Sequence, residues 1–486
     1  VKHAALMVAA VVGVGVLTLV FGERIGINGG LGWDGLVYMP WSDQFWHRVA
    51  EVGVTEYQAQ RVLASALVWC MLHPLGVTPS IANHLLGFEL LDLAALATAA
   101  ALWAHLALRV MRWRPAAAWA GFVALFLCFA NARHALYYPV LLDSLAFLLG
   151  MLMVWGYLAR RQAAVWLAGL LGTFAWPPLP PIAVAMLVLR RPREVLPESA
   201  ARWPRYVAPA ALAAGLALVL NMMRYYHAHP VEGVGDEKLL FWIIQPLLFV
   251  TVPLVAAQLA VGWYLVLRER RLWSIGEYVR TRAPLDVTLA LAGAVAIYAV
   301  RAWWIAKVGT QGPGPDADQF LCEYSLELMR GPLWGLVHHV VYFGPVVLVA
   351  LLAWRRACAV AVEWGPAAAI GAAMIVWFSV ASESRQWIHL FPLLVALTIA
   401  ATHDRWTPRR TLAFTMIALP WSKLWFVIGY DHGNGHHGYP DQRYFMHHGP
   451  YASDAMYLIH LAAAVVTAIA LTFALRAGSN AHDETA

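Results

Sequence analysis

Three acids and three arginines in this sequence have the type and setting to do chemistry. Asp34 follows a glycine-rich stretch, Asn28-Gly29-Gly30-Leu31-Gly32-Trp33. Glycine allows close backbone approach to a ligand, and a carboxylate in a partly desolvated cavity is a competent general base. Tyr38 stands four residues on, so a helical turn starting at 34 puts both on one face. Asp143 comes four residues after Pro139, just inside an apolar stretch. Glu383 and Arg385 flank Ser384 in a minimal polar segment, 382–386. Arg61, Arg133 and Arg385 can grip phosphate oxygens bidentately and stay charged. Plainer roles compete for each of them. Asp34 can cap a helix. Asp143 can be a first-turn acid favoured by the helix dipole. Glu383 and Arg385 can form an exposed pair, and Arg61 and Arg133 can be ordinary interface arginines.

The elements that must position these groups are apolar helices. The chain has 486 residues, of which 61% are hydrophobic and 13% charged; its mean hydropathy is +0.61. A soluble globular protein is about 45–50% apolar and about 25% charged. These departures predict an all-α polytopic membrane protein, one integral membrane domain over 1–486 with no soluble domain. They exclude a disordered chain and a disulfide-stapled secreted domain. The net charge of +6 reads as basic cytoplasmic loops, not as a nucleic-acid surface. The four cysteines lie far apart and form no CxxC motif, so no metal or redox centre follows from them.

A span needs about 20 apolar residues to cross about 30 Å of hydrocarbon. The sequence predicts about 14 spans, near 4–22, 81–108, 117–131, 139–159, 164–176, 177–190, 206–221, 239–267, 285–307, 333–354, 366–381, 387–402, 411–428 and 455–476. Segment 62–76 is apolar but short and is expected to lie along the interface or re-enter. With that reading the basic clusters align on one side, including 109–114, Arg160/Arg161, 190–205 and 268–282. The positive-inside rule then puts both termini in the cytoplasm. The break at Trp176-Pro177-Pro178 has basic residues on both flanks. Two short helices meeting at the outer side keep both flanks inside. The polar outer segments are then 23–80, a long first loop with interfacial helices, together with 131–138, 222–238, 308–332, 382–386 and the His-rich loop 429–454. All six candidate residues fall on or beside this side. Ionisable residues at span mouths are functional candidates.

These residues also fall in a familiar order. The pattern resembles the GT-C superfamily of membrane glycosyltransferases, which take sugars from polyprenyl-phosphate carriers. Asp34-Gly35-Leu36-Val37-Tyr38 is similar to the DG-x-x-[FY]-Y-like motif that follows the first span in uncharacterised bacterial members. Tyr57-Gln58-Ala59-Gln60-Arg61 is similar to their YR-x-x-R-like motif, with Gln58 in place of the first arginine. Asp143 matches a second outer acid at the top of a later span. Glu383-Ser384-Arg385, followed by Pro392, matches an E-x-R-like motif before a Pro-containing span. The resemblance implies a GT-C-like fold of about 14 transmembrane helices, a polyprenyl-phosphate sugar donor, a glycan or glycolipid acceptor and contact with membrane lipids. It also implies a bacterial inner-membrane location with the active side extracytoplasmic. It leaves partner subunits open, and a divalent metal as well, since some members need one.

Under this resemblance Asp34 is the expected base of an inverting transfer. Arg385 is first choice for the leaving phosphate, with Arg61 and Arg133 behind it. Asp143 and Glu383 are expected to orient an arginine or sugar hydroxyls, or to hold a metal; Tyr38 is expected beside Asp34. The His-rich stretch Asp431–His437, with His447 and His448, fits no zinc signature well and reads as a solvated or acceptor-contacting loop. Asp316, Asp318 and Glu323 read as a turn, since they lack EF-hand spacing. Two other classes compete: a non-catalytic membrane subunit that keeps such a fold, and a lipid-sugar transporter or flippase.

Overall fold

The computed structural model describes residues 2–192, 197–199, 206–228, 248–280, 283–314, 331–381, 383–424 and 454–476. The His-rich residues 431–448 and the acidic stretch Asp316/Asp318/Glu323 lie outside the described residues. All regular structure among the described residues is helical. In chain order the helices are α1 (Lys2–Phe21), α2 (Gly35–Asp43), α3 (Glu56–Ala59), α4 (Leu63–Leu72), α5 (Ile81–His105), α6 (Pro115–Phe126), α7 (Ala135–Tyr137), α8 (Asp143–Leu158), α9 (Gln162–Ala175) and α10 (Leu179–Val188). There follow α11 (Val207–Ala228), α12 (Leu248–Leu267), α13 (Ile275–Arg280), α14 (Pro284–Val308), α15 (Trp334–Phe343), α16 (Val346–Trp364), α17 (Pro366–Phe378), α18 (Phe391–Thr402), α19 (Pro408–Trp421) and α20 (Asp454–Arg476).

Six helices among the described residues are long and apolar enough to cross a membrane, and two bent pairs raise the number to eight. This fits an all-α membrane protein. The segment Ser384–Arg405 is the innermost, with 89% of its apolar window buried against 17% for Lys2–Phe21. Large apolar side chains on the outer helices, such as Val20, Val295 and Phe473, are exposed, as hydrocarbon-facing side chains are.

Local sequence sets the helix ends. Ser80 and Thr407 accept from the backbone N–H groups of Asn83 and Arg410, and so cap α5 and α19. Proline opens α6, α14 and α17, where its missing N–H costs nothing. Helix α4 has ten residues, about 15 Å of rise, the same length as α10, one of the expected spans.

Helices α9 and α10 form the hairpin expected at Trp176-Pro177-Pro178. Arg160 donates to the Pro192 carbonyl at 2.7 Å, and Arg191 donates to the Leu158 carbonyl at 2.8 Å. These bonds hold the two basic flanks together at one end. The Trp176 tip lies at the other.

Two sharp bends shape the centre. The pair α15 and α16 turns by 113° at Gly344-Pro345, where Gly344 has φ +79°. The segment Ala130–Tyr137 turns by 57° from α6. The Ser384–Leu390 turn packs against α8 at Gly150, where a Cβ would overlap the His389 backbone.

Candidate functional site

Asp34 is placed by the glycines before it. Gly32 has φ +61°, and a Cβ there would overlap the Tyr138 ring. The close approach lets the Asp34 backbone N–H donate to the Tyr138 hydroxyl at 2.8 Å. Asp34 occupies the N-cap position of α2, but its side chain makes no capping bond. The carboxylate turns instead to Arg385, whose Nη2 and Nη1 lie 3.4 and 3.5 Å from Oδ2. Tyr38 donates its backbone N–H to the Asp34 carbonyl and is buried, so the two share a turn as expected.

Arg385 is held from its other side by Glu383. Its Nε donates to Glu383 Oε1 at 2.8 Å, and Gln386 Nε2 donates to Oε2 at 2.8 Å. The pair is not an exposed one. Glu383 is buried, and the Arg385 side chain is 12% exposed. The turn is fixed by its neighbours. Trp176 Nε1 donates to the Gln386 carbonyl at 3.3 Å, and Ser384 Oγ lies 2.8 Å from His339 Nδ1. One guanidinium thus lies between two carboxylates, and Asp143 adds a third negative charge to its field.

Asp143 begins α8 and is 4% exposed. The Tyr342 hydroxyl donates to its Oδ2 at 3.0 Å and lies 3.3 Å from His134 Nδ1. The acid therefore does more than favour a helix dipole. The two bends make this possible: Tyr342 sits just before the α15–α16 break, and His134 lies in the π-type turn Ala130–His134. The other oxygen, Oδ1, is buried without a hydrogen-bond partner among the described residues.

Arg61 is buried in an aromatic sleeve. Its guanidinium lies 4.3 Å from the Tyr57 ring centre and 4.9 Å from that of Trp176, and Tyr38 lies within range of its charge. Burial pushes the Tyr57 hydroxyl up to about 12, so that ring stays neutral beside the cation. Gln58 serves the backbone. It completes a capping box with Thr55, which satisfies two N–H groups at the start of α3. Arg133 faces elsewhere, paired with Glu23 at 2.7 Å. The structure thus brings Asp34, Tyr38, Arg61, Asp143, Glu383 and Arg385 together, and Arg133 is engaged by Glu23.

Sequence reasoning missed several participants. Trp176 read only as a helix break, Tyr342 sat in an apolar stretch with no motif, and His134 lay in the polar outer segment 131–138 without being singled out. Glu89 and Asp92 are buried in α5, and Glu89 pairs with Arg24. Two acids three apart inside a span were a legible signal. Among the described residues no group of three or more His, Cys, Asp or Glu is placed to hold a metal ion. Asp34 and Glu383 are both engaged by Arg385, so a cation between them would have to displace it.

The helices and the buried polar centre define the class: an all-helical chain of apolar helices around a charged site, as a membrane protein would have. Comparison with protein families, curated proteins and solved structures finds no match.

Proposed function

We propose that the protein is an integral membrane glycosyltransferase that moves a sugar from a polyprenyl-phosphate carrier to a glycan or glycolipid acceptor. The observation that carries this reading is the Asp34–Arg385–Glu383 arrangement, in which a partly exposed carboxylate suited to act as base adjoins a shielded guanidinium suited to bind phosphate. The donor phosphate competes with Asp34 for Arg385. Donor binding draws the guanidinium away and frees the carboxylate. The acceptor hydroxyl then gives its proton to Asp34 as its oxygen bonds to the anomeric carbon. The bond from that carbon to the phosphate oxygen breaks, and its electron pair leaves with the polyprenyl phosphate. Arg385 and Arg61 neutralise the leaving group where charge develops. Asp143 Oδ1, a buried acceptor, takes a hydrogen bond from a sugar hydroxyl, while Tyr342 holds Oδ2.

The topology that accompanies this reading has about 14 spans, both termini in the cytoplasm and the site on the outer side of a bacterial inner membrane. The α9–α10 hairpin supports it, because its basic flanks meet at one end.

A second reading, a lipid-sugar transporter, draws on Glu89 and Asp92, buried within α5. The experiment is turnover of a panel of polyprenyl-phosphate sugars by the purified protein in nanodiscs, with Asp34→Asn beside it. Transfer lost in a folded Asp34→Asn variant supports the transferase. Translocation in liposomes without product would support the transporter. Neither activity, with Asp34→Asn unchanged in every respect, would favour a non-catalytic subunit.

A further inference from the structure

A groove of about 590 Å³ runs between α1, α6 and α19. It shares with the site described above only the 130–137 segment. Along α1 it extends from His3 to Gly15, about 18 Å at a rise of about 1.5 Å per residue. Its walls are Val11, Val14, Leu96, Phe122, Val123 and Phe126. The two hydroxyls in its lining are already engaged by backbone. Thr411 donates to the Ala116 carbonyl at 3.0 Å, and Thr415 donates to the Thr411 carbonyl at 2.8 Å. The slot therefore offers hydrocarbon along its length.

Its two ends are different. At one end Trp119 Nε1 donates to His3 Nδ1 at 3.2 Å. Three lining residues there, His3, Pro115 and Pro408, each have an exposed cation as a chain neighbour: Lys2, Arg114 and Arg409. At the other end Asn131 is 6% exposed, and its Oδ1 has no hydrogen-bond partner among the described residues. An apolar slot with a cationic rim at one end matches an amphiphile with an anionic head.

From this apolar slot and its cationic rim we infer that the α1–α6–α19 groove binds the acyl chain of an anionic phospholipid, with the phosphate at Lys2, Arg114 and Arg409. A bilayer lipid suits the site because apolar residues exposed on α1, such as Leu6 and Leu17, leave that helix open to surrounding chains. The Asn131 end touches the turn that carries His134, so an occupied groove buttresses the segment behind Tyr342 and Asp143.

Native mass spectrometry of the full chain in detergent tests this. The probes are phosphatidylglycerol and phosphatidylcholine with identical chains. The expected result is about a five- to tenfold preference for phosphatidylglycerol. The double variant Arg114→Gln/Arg409→Gln, on the surface and compatible with folding, should lose that preference and keep weak binding of both lipids. Ala10→Trp, which fills the groove from an exposed position, should reduce both. Equal binding of the two lipids by the wild type, or wild-type binding by both variants, overturns the proposal. So does polyprenyl phosphate that displaces phosphatidylglycerol from the wild type without reading the two arginines, which would make the groove a carrier site. A dimer abolished by Ala10→Trp would give the groove to a second copy and equally overturn it.

Discussion

Asp34 Oδ2 lies 3.4 Å from Arg385 Nη2, although 351 positions separate the two residues in the chain. The carboxylate is 37% exposed and the guanidinium 12%. The acid is thus reachable from solvent, while the base-side cation is shielded and gripped from behind by Glu383. A ligand anion arriving at the site meets Asp34 first and can take its place on Arg385. This contact links the first polar segment to the innermost helix.

Replacing Asp34 with Asn removes the proposed base and keeps size and shape. Turnover in nanodiscs should fall by about 10²–10⁴-fold, with donor binding retained and the thermal unfolding profile close to wild type. Unchanged turnover would remove Asp34 from the chemistry.

Arg385 should be unforgiving. Lys at this position keeps charge but loses the planar fork. The expected result for Arg385→Lys is weaker binding of polyprenyl phosphate and a fall of about 10²–10³-fold in turnover, the range for losing one preorganised donor. Arg385→Ala should also destabilise the fold, by about 3–5 kcal/mol, because it leaves the buried Glu383 without its cation. A thermal shift assay reads the second effect, and equilibrium binding of the carrier phosphate reads the first.

Tyr342→Phe deletes the hydroxyl that donates to Asp143. One neutral hydrogen bond contributes about 0.5–1.5 kcal/mol, and about 1.5–3 kcal/mol when the acceptor is charged. Turnover should drop by about tenfold while KM for the carrier stays near wild type. The matching control is Arg133→Gln, which breaks the Glu23 pair and should leave KM for the donor unchanged. A large KM effect in the control would bring Arg133 back as a phosphate ligand.

Gly32→Ala tests how Asp34 is held. A left-handed conformation costs a residue with a Cβ about 1–2 kcal/mol, and here the Cβ also meets the Tyr138 ring. The variant should melt lower than wild type and lose turnover, and an unchanged melting profile would mean that the loop accommodates a Cβ at this position.

Much of the fold was legible because hydrocarbon imposes its own grammar. The apolar runs marked α1, α5 and α14, and the shortness of 62–76 marked the short helix α4. Basic residues on both sides of Trp176-Pro177-Pro178 marked a hairpin, since charge is costly to bury in lipid. The bends at Gly344-Pro345 and after Phe126 were harder to read. Gly and Pro occur often in membrane helices without breaking them, so the angle depends on what packs against the break.

The sequence by itself determined that this is a chain of apolar helices, and which charges stand at the ends of its apolar runs. Those properties follow from composition and from the local cost of burying polar groups. The tertiary structure decided how the charges pair. Asp34 meets Arg385 instead of capping α2, Gln58 caps instead of binding, Arg133 turns to Glu23, and Trp176 closes over Arg61. Each of these choices depends on distances between segments far apart in the chain. Such distances are set by helix packing around Gly32 and Gly150, where the absence of a Cβ lets one backbone approach another closely enough to align the side chains.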